Sequence, residues 1–126
     1  MKTKFISFIS LICLMLMSGC VGITSKDIRS VRHEVFFSDK SPDDFKYCLI
    51  DNLDHLRGDR MLIEPVLNSK SVEILIGALQ LSNMRYYHRV IISDNGGKTR
   101  VSIQSLDDYY RPLTKNELRE MAKNCL

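Results

Sequence analysis

Apolar and polar residues alternate along much of this chain, and the spacing predicts seven elements. From Val31 to Phe37, the residues Val31, His33, Val35 and Phe37 fall on one side of an extended backbone, which predicts a strand. Ser38-Asp39-Lys40-Ser41-Pro42 interrupts it. Ser41 is a suitable N-cap, Pro42 suits the first helical position, and Asp43 and Asp44 complement the dipole's positive end. Phe45, Cys48, Leu49, Leu53 and Leu56 then recur at helical spacing until Gly58.

Four strands are predicted next. Arg60 to Leu67 reads as a short strand, and Pro65 suggests an edge. In Ser71 to Leu81 the pattern is divided: Val72, Leu75, Ile76 and Leu79 fit a helix, whereas Val72, Ile74 and Ile76 fit a strand. The density of β-branched residues decides for the strand. Arg85 to Ser93 and Lys98 to Ser105 flank Asp94-Asn95-Gly96-Gly97, and Asn-Gly between alternating runs is a strong hairpin signal. The expected pairing sets Val90 against Val101 and Ile92 against Thr99. Tyr86, His88, Val90 and Ile92 then share a face with Val101 and Ile103. Arg85, Tyr87, Arg89, Arg100, Ser102 and Gln104 occupy the other.

Thr114-Lys115-Asn116-Glu117 fits a capping box, and the helix behind it aligns Leu118, Met121, Ala122 and Cys125. The order β-α-β-β-β-β-α predicts an α+β two-layer sandwich, an antiparallel sheet with both helices packed on one face.

The N-terminus has a different character. Met1-Lys2-Thr3-Lys4 is basic, Phe5 to Met17 is apolar apart from Ser7 and Ser10, and Ser18-Gly19-Cys20 is small. These are the three parts of a secretory signal. The apolar run is shorter than the roughly 20 residues of a transmembrane helix. Leu16-Met17-Ser18-Gly19-Cys20 resembles the lipobox of bacterial lipoprotein precursors, with Met17 where leucine is usual. The resemblance covers the signal alone. It implies removal of residues 1–19, a diacylglyceryl thioether on Cys20, and membrane attachment through that lipid. Val21 is not the aspartate that resembles an inner-membrane retention signal, so the expected address is the outer membrane, facing the periplasm. Residues 20–30 would form the lipidated tether, and 31–126 one domain.

Maturation changes the charge balance. The precursor has 18 Lys+Arg and 15 Asp+Glu; Lys2 and Lys4 leave with the signal, so 16 face 15. A near-neutral chain gives no argument for nucleic acid as a partner. Of four cysteines, Cys13 would leave with the signal and Cys20 would take the lipid. Cys48 and Cys125 remain as a pair for one disulfide in an oxidising compartment.

No catalytic motif is present: neither G-x-S-x-G, nor H-E-x-x-H, nor a phosphate-cradling glycine loop. Asp51-Asn52-Leu53-Asp54 lacks calcium-loop spacing, and His33, His55 and His88 lack metal-ligand spacing, so neither a metal nor a cofactor is expected. His33 and His88 read as hydrogen-bonded core histidines. Asp107 to Arg111 reads as a polar loop. The stripe Arg85, Tyr87, Arg89 and Arg100 remains as a surface for an anionic envelope component or an acidic envelope protein. The sequence thus favours a non-enzymatic, lipid-anchored interaction or assembly module of the cell envelope. The alternative is an immunity or inhibitor lipoprotein that blocks a periplasmic toxin or hydrolase.

Overall fold

The computed structural model describes residues 28–56, 61–65, 70–80, 82–106 and 112–126. The N-terminal stretch read as a signal, Cys20, and the Asp107–Arg111 stretch read as a polar loop lie outside these residues. The elements are β1 (Glu34–Ser38), α1 (Pro42–Asn52), a 3-10 turn (Asp54–Leu56), β2 (Met61–Pro65), β3 (Ser71–Gln80), β4 (Asn83–Asn95), β5 (Lys98–Ser105) and α2 (Lys115–Asn124). All strands pair antiparallel in one sheet ordered β1-β5-β4-β3-β2. The predicted α+β sandwich is the observed fold. The divided segment at 71–80 is a strand, since its β-branched side chains pack on a pleated surface. Among the described residues, no helix is long and apolar enough to cross a membrane.

Both helices begin as their sequences dictate. The Ser41 side chain accepts from the Asp44 backbone N–H at 3.1 Å, with Pro42 at the helix start. Thr114 and Glu117 form the reciprocal capping box, with Glu117 Oε2 accepting from the Thr114 N–H at 2.7 Å. The first helix stops sooner than Gly58, because Leu53 caps it and Leu56 closes a separate 3-10 turn. Phe45, Leu49, Leu53 and Leu56 from that region meet Ile74, Ile76, Val90, Ile92, Val101 and Ile103 from the sheet. Leu118, Ala122 and Cys125 of the α2 region complete the same core.

Cys48 and Cys125 form the expected disulfide, their Cα atoms 5.8 Å apart. The Asn52 amide donates to Cys125 Sγ at 3.3 Å. Lys40 Nζ reaches the Cys125 carbonyl at 2.7 Å, placing a cation where α2's carbonyls face outward.

Three details differ from the sequence reading. The β4–β5 hairpin turns on Gly96-Gly97, with Asn95 paired to Lys98, so Ile92 faces Val101 and Val90 faces Ile103. This register is displaced by two residues from the expected one. A two-residue turn with both central φ angles positive favours glycine twice, and Gly96 (φ 64°) and Gly97 (φ 94°) supply it. A shift of two leaves each side chain on its expected face.

The second difference is a bulge in β4. Ile76 pairs with His88 but Gly77 pairs with Tyr86, so Tyr87 is an extra residue. Tyr87 turns inward and joins the core at 4% exposure, rather than standing on the outer face. Beyond the bulge, Arg85 pairs with Ala78, which packs against the core, so Arg85 also falls on the helix side. The third difference is in β1. It starts at Glu34, not Val31, and Phe36 packs inward while Val35 and Phe37 are exposed. The face chosen as apolar in this strand is the outer one.

Gly77 is the point of closest approach across the bulge: a Cβ there would stand 1.9 Å from the Arg85 carbonyl oxygen. Gly77→Ala should therefore destabilise the fold by at least about 2 kcal/mol, because backbone must move to relieve the overlap. Urea unfolding of the oxidised protein is the measurement, and wild-type stability would show that the strand gives way cheaply. The disulfide closes a 77-residue separation. Replacing both cysteines with alanine should cost up to about 4.5 kcal/mol in the chain-entropy limit. An unchanged urea midpoint would show that the helices already hold the ends together.

Candidate functional site

The outer sheet face carries a buried polar network instead of a solvated arginine stripe. On β3, Glu73 interrupts an apolar run and, by alternation, points away from the helices. Arg89 on β4 lies diagonally from it, since Glu73 pairs with Ile91 and Leu75 with Arg89. Gln104 on β5 is directly opposite Arg89. The Arg89 Nε donates to Glu73 Oε1, and its Nη1 donates to Gln104 Oε1 at 2.7 Å. The Gln104 amide nitrogen donates onward to the carbonyls of Arg29 (3.0 Å) and Val31 (2.6 Å). Arg29 closes the circuit by donating to both Glu73 oxygens, at 3.1 and 3.2 Å.

The segment before β1 is therefore seated on the sheet by side chains from β3 and β5, which Arg89 of β4 links to each other. Ile28 and Leu75 are both buried, yet both stand apart from the main core. Ile28 belongs to a short helical turn at residues 28–30. Part of the stretch read as a tether thus belongs to the domain.

Burial alone would raise the Glu73 pKa. The hydrogen bond and charge of Arg89, joined by Arg29, outweigh it and hold the carboxyl below its ordinary value of 4.5. The Arg89 and Glu73 side chains are 14% and 9% exposed, whereas Arg29 is 45% exposed.

Of the four residues proposed as a stripe, only Arg89 and Arg100 remain on this face. Arg89 is committed to the network, and Tyr87 is in the core. Arg100 is half-buried opposite Ser93 and Phe37. The histidines also separate. His88 is buried, with Nε2 donating to the Leu113 carbonyl at 2.6 Å and Nδ1 facing Ser105 Oγ at 2.8 Å. It braces β4 and β5 against the approach to α2. His33 is exposed, against expectation, because it precedes β1; its Nδ1 meets Ser102 Oγ at 2.6 Å.

The helix side holds an open pocket of about 410 Å³. Val31, Arg32, His33 and Glu34 line one side, and Lys115 and Arg119 of α2 the other, with Ile103 and Ser105 from β5. Glu34 faces α2 because it pairs with the core residue Ile103. Arg119 Nη2 donates to Glu34 Oε2 at 3.0 Å. Arg119 Nε is 2.8 Å from Glu34 Oε1 but misaligned, leaving one buried N–H without an aligned acceptor among the described residues. The periodicity of Arg32-His33-Glu34 gave no sign of this pocket. Its other wall comes from a helix 81 or more residues away, and only topology brings them together.

Among the described residues, no group of three or more His, Cys, Asp or Glu side chains could hold a metal ion. Comparison with protein-family models, curated proteins and solved structures finds no match to this chain.

Removing Glu73 would leave Arg89 buried beside an uncharged neighbour. Glu73→Ala should cost about 3 kcal/mol, as for severing a buried pair from one side. Arg29→Ala should cost under about 1 kcal/mol, since that side chain is largely solvated. Equal losses in urea unfolding would show that the network is not organised around Arg89. The pH dependence has a fixed sign. A depressed folded pKa contributes stability that is fully present above the unfolded value of 4.5 and lost as pH falls through the folded value. Glu73→Gln should lack that component of acid destabilisation; a wild-type acid profile would remove Glu73 as its source.

Proposed function

We propose that this chain is a small lipid-anchored interaction module of the bacterial cell envelope, non-enzymatic, held by Cys20 and facing the periplasm from the outer membrane. The Cys48–Cys125 disulfide is the observation that carries the compartment, since such bonds persist in oxidising surroundings. The lipobox-like Leu16–Cys20 supports the anchor, and Val21 supports the outer membrane. Two or three acyl chains give long-lived attachment where one gives only marginal binding.

The seated Ile28 shortens the leash. Seven residues lie between it and Cys20, and the eight residue-to-residue steps reach at most about 29 Å in a fully extended chain. The domain would stay close to the bilayer, with its pre-β1 segment on the membrane side.

Cys20→Ser should abolish lipid attachment. The expected result is a variant that stays unprocessed or loses membrane retention, while wild type shows a lipid-modified N-terminal cysteine by mass spectrometry. Normal mature size and membrane recovery for Cys20→Ser would refute the anchor. Wild-type protein banding with inner-membrane markers in a density gradient would refute the address. Affinity capture of the lipidated protein from envelopes then tests whether it works through a partner.

A further inference from the structure

We propose that the outer face of β1, at Val35 and Phe37, rests on the bilayer and orients the domain against it at headgroup depth. Val35 and Phe37 are 38% and 52% exposed, an apolar pair two residues apart on one face of the strand. The seated N-terminal segment indicates what covers them. The Arg29 side chain and the Arg29 and Val31 carbonyls are held on this same outer face by Glu73 and Gln104. The described chain therefore begins on the sheet side, away from the helices. Phe37 pairs with Arg100, four residues along β5 from Gln104, so about 13 Å of strand separates the exposed pair from the seated segment. This inference rests on the lipid anchor proposed above: a leash of at most about 29 Å, attached on this face, keeps the face toward the membrane.

The chemistry of the patch suits that surface. Apolar side chains of peripheral elements settle at the boundary between headgroups and acyl chains. Arg100 stands directly opposite Phe37, where its guanidinium can donate to lipid phosphates while its stem covers apolar surface. β1 is the outermost strand of the sheet, and backbone groups on its free edge would be costly in hydrocarbon. That limits the depth to the hydrated boundary. Tyr47 is also exposed, but it belongs to α1 in the opposite layer.

The chain contains no tryptophan, so Phe37→Trp introduces a single fluorescent reporter. Val35→Trp is a second reporter on the same face, and Tyr47→Trp is the reference on α1. The purified full chain is added to vesicles of phosphatidylglycerol and phosphatidylcholine, the latter either plain or brominated near the headgroup end of its acyl chains. Vesicle flotation reads the anchor separately. Emission from Phe37→Trp and Val35→Trp should fall at least twofold in brominated vesicles, while Tyr47→Trp stays unchanged. A chain that floats while both outer-face reporters keep full emission overturns the face and leaves the anchor standing. Equal quenching of all three reporters also overturns it, because the domain would then have no preferred side. A chain that neither floats nor is quenched overturns face and anchor together. Quenching of the outer-face reporters alone, in a chain whose Cys20 carries no lipid, upholds the face and rejects the lipid anchor. A blue shift that grows with protein concentration, without quenching by bromine, overturns the proposal and assigns the face to a second copy.

Discussion

A guanidinium placed against a sheet face and covered from water must find a carboxylate, and Glu73 is within reach of Arg89. Much of the outer face follows from that requirement. The ion pair joins β3 to β4, Gln104 extends it to β5, and the remaining donors of Gln104 fix the backbone at Arg29 and Val31. A buried pair of this kind contributes little net stability compared with apolar side chains of the same size, because desolvation opposes the attraction. It does impose geometry. A chain segment whose one buried apolar side chain among the described residues is Ile28 could slide on a greasy surface; carbonyls held by a directed amide cannot. The network therefore sets where the N-terminal segment leaves the domain.

The helix face is governed by apolar packing and one covalent link. Leu49, Leu118 and their neighbours hold the helices on the sheet, and the disulfide joins the middle of α1 to the end of α2. The β4 bulge belongs to this side as well. By adding Tyr87 to one strand, it directs both Tyr87 and His88 inward, one to fill the core and the other to tie the sheet to Leu113. Gly77 permits this because the crossing backbone leaves no room for a side chain there.

The sequence was legible where local chemistry decides structure. Ser41-Pro42 and Thr114–Glu117 marked both helix starts, and the β-branched residues near Ile74 identified the strand there. Cysteine parity indicated the disulfide. What local chemistry could not reveal was any relation across strands. Strict alternation places Tyr87 beside Arg89, and nothing in Tyr86-Tyr87-His88 announces the extra residue that breaks it. Gly96-Gly97 competes with Asn95-Gly96 as the turn centre, and moving the centre by one residue shifts the pairing by two, which changes partners but not faces. Glu73 was the overlooked signal. An acid inside Val72–Ile76 is costly in a buried strand unless a cation lies on the next strand, and Arg89 occupies the expected outer face of the next strand.

That reassignment changes where recognition can occur. An arginine that donates to Glu73 and Gln104 must give up those bonds to turn toward another partner, and the buried carboxylate left behind would resist the exchange. Arg89 itself is thus poorly placed to attract an anion. At the pocket a second pair, Glu34 with Arg119, fixes α2 against β1. The same pairing of arginine with glutamate thus ties strand to strand on the outer face and helix to sheet on the inner one. What separates them is burial: the Glu73 carboxylate is nearly enclosed, whereas Glu34 and Arg119 stay partly open to solvent.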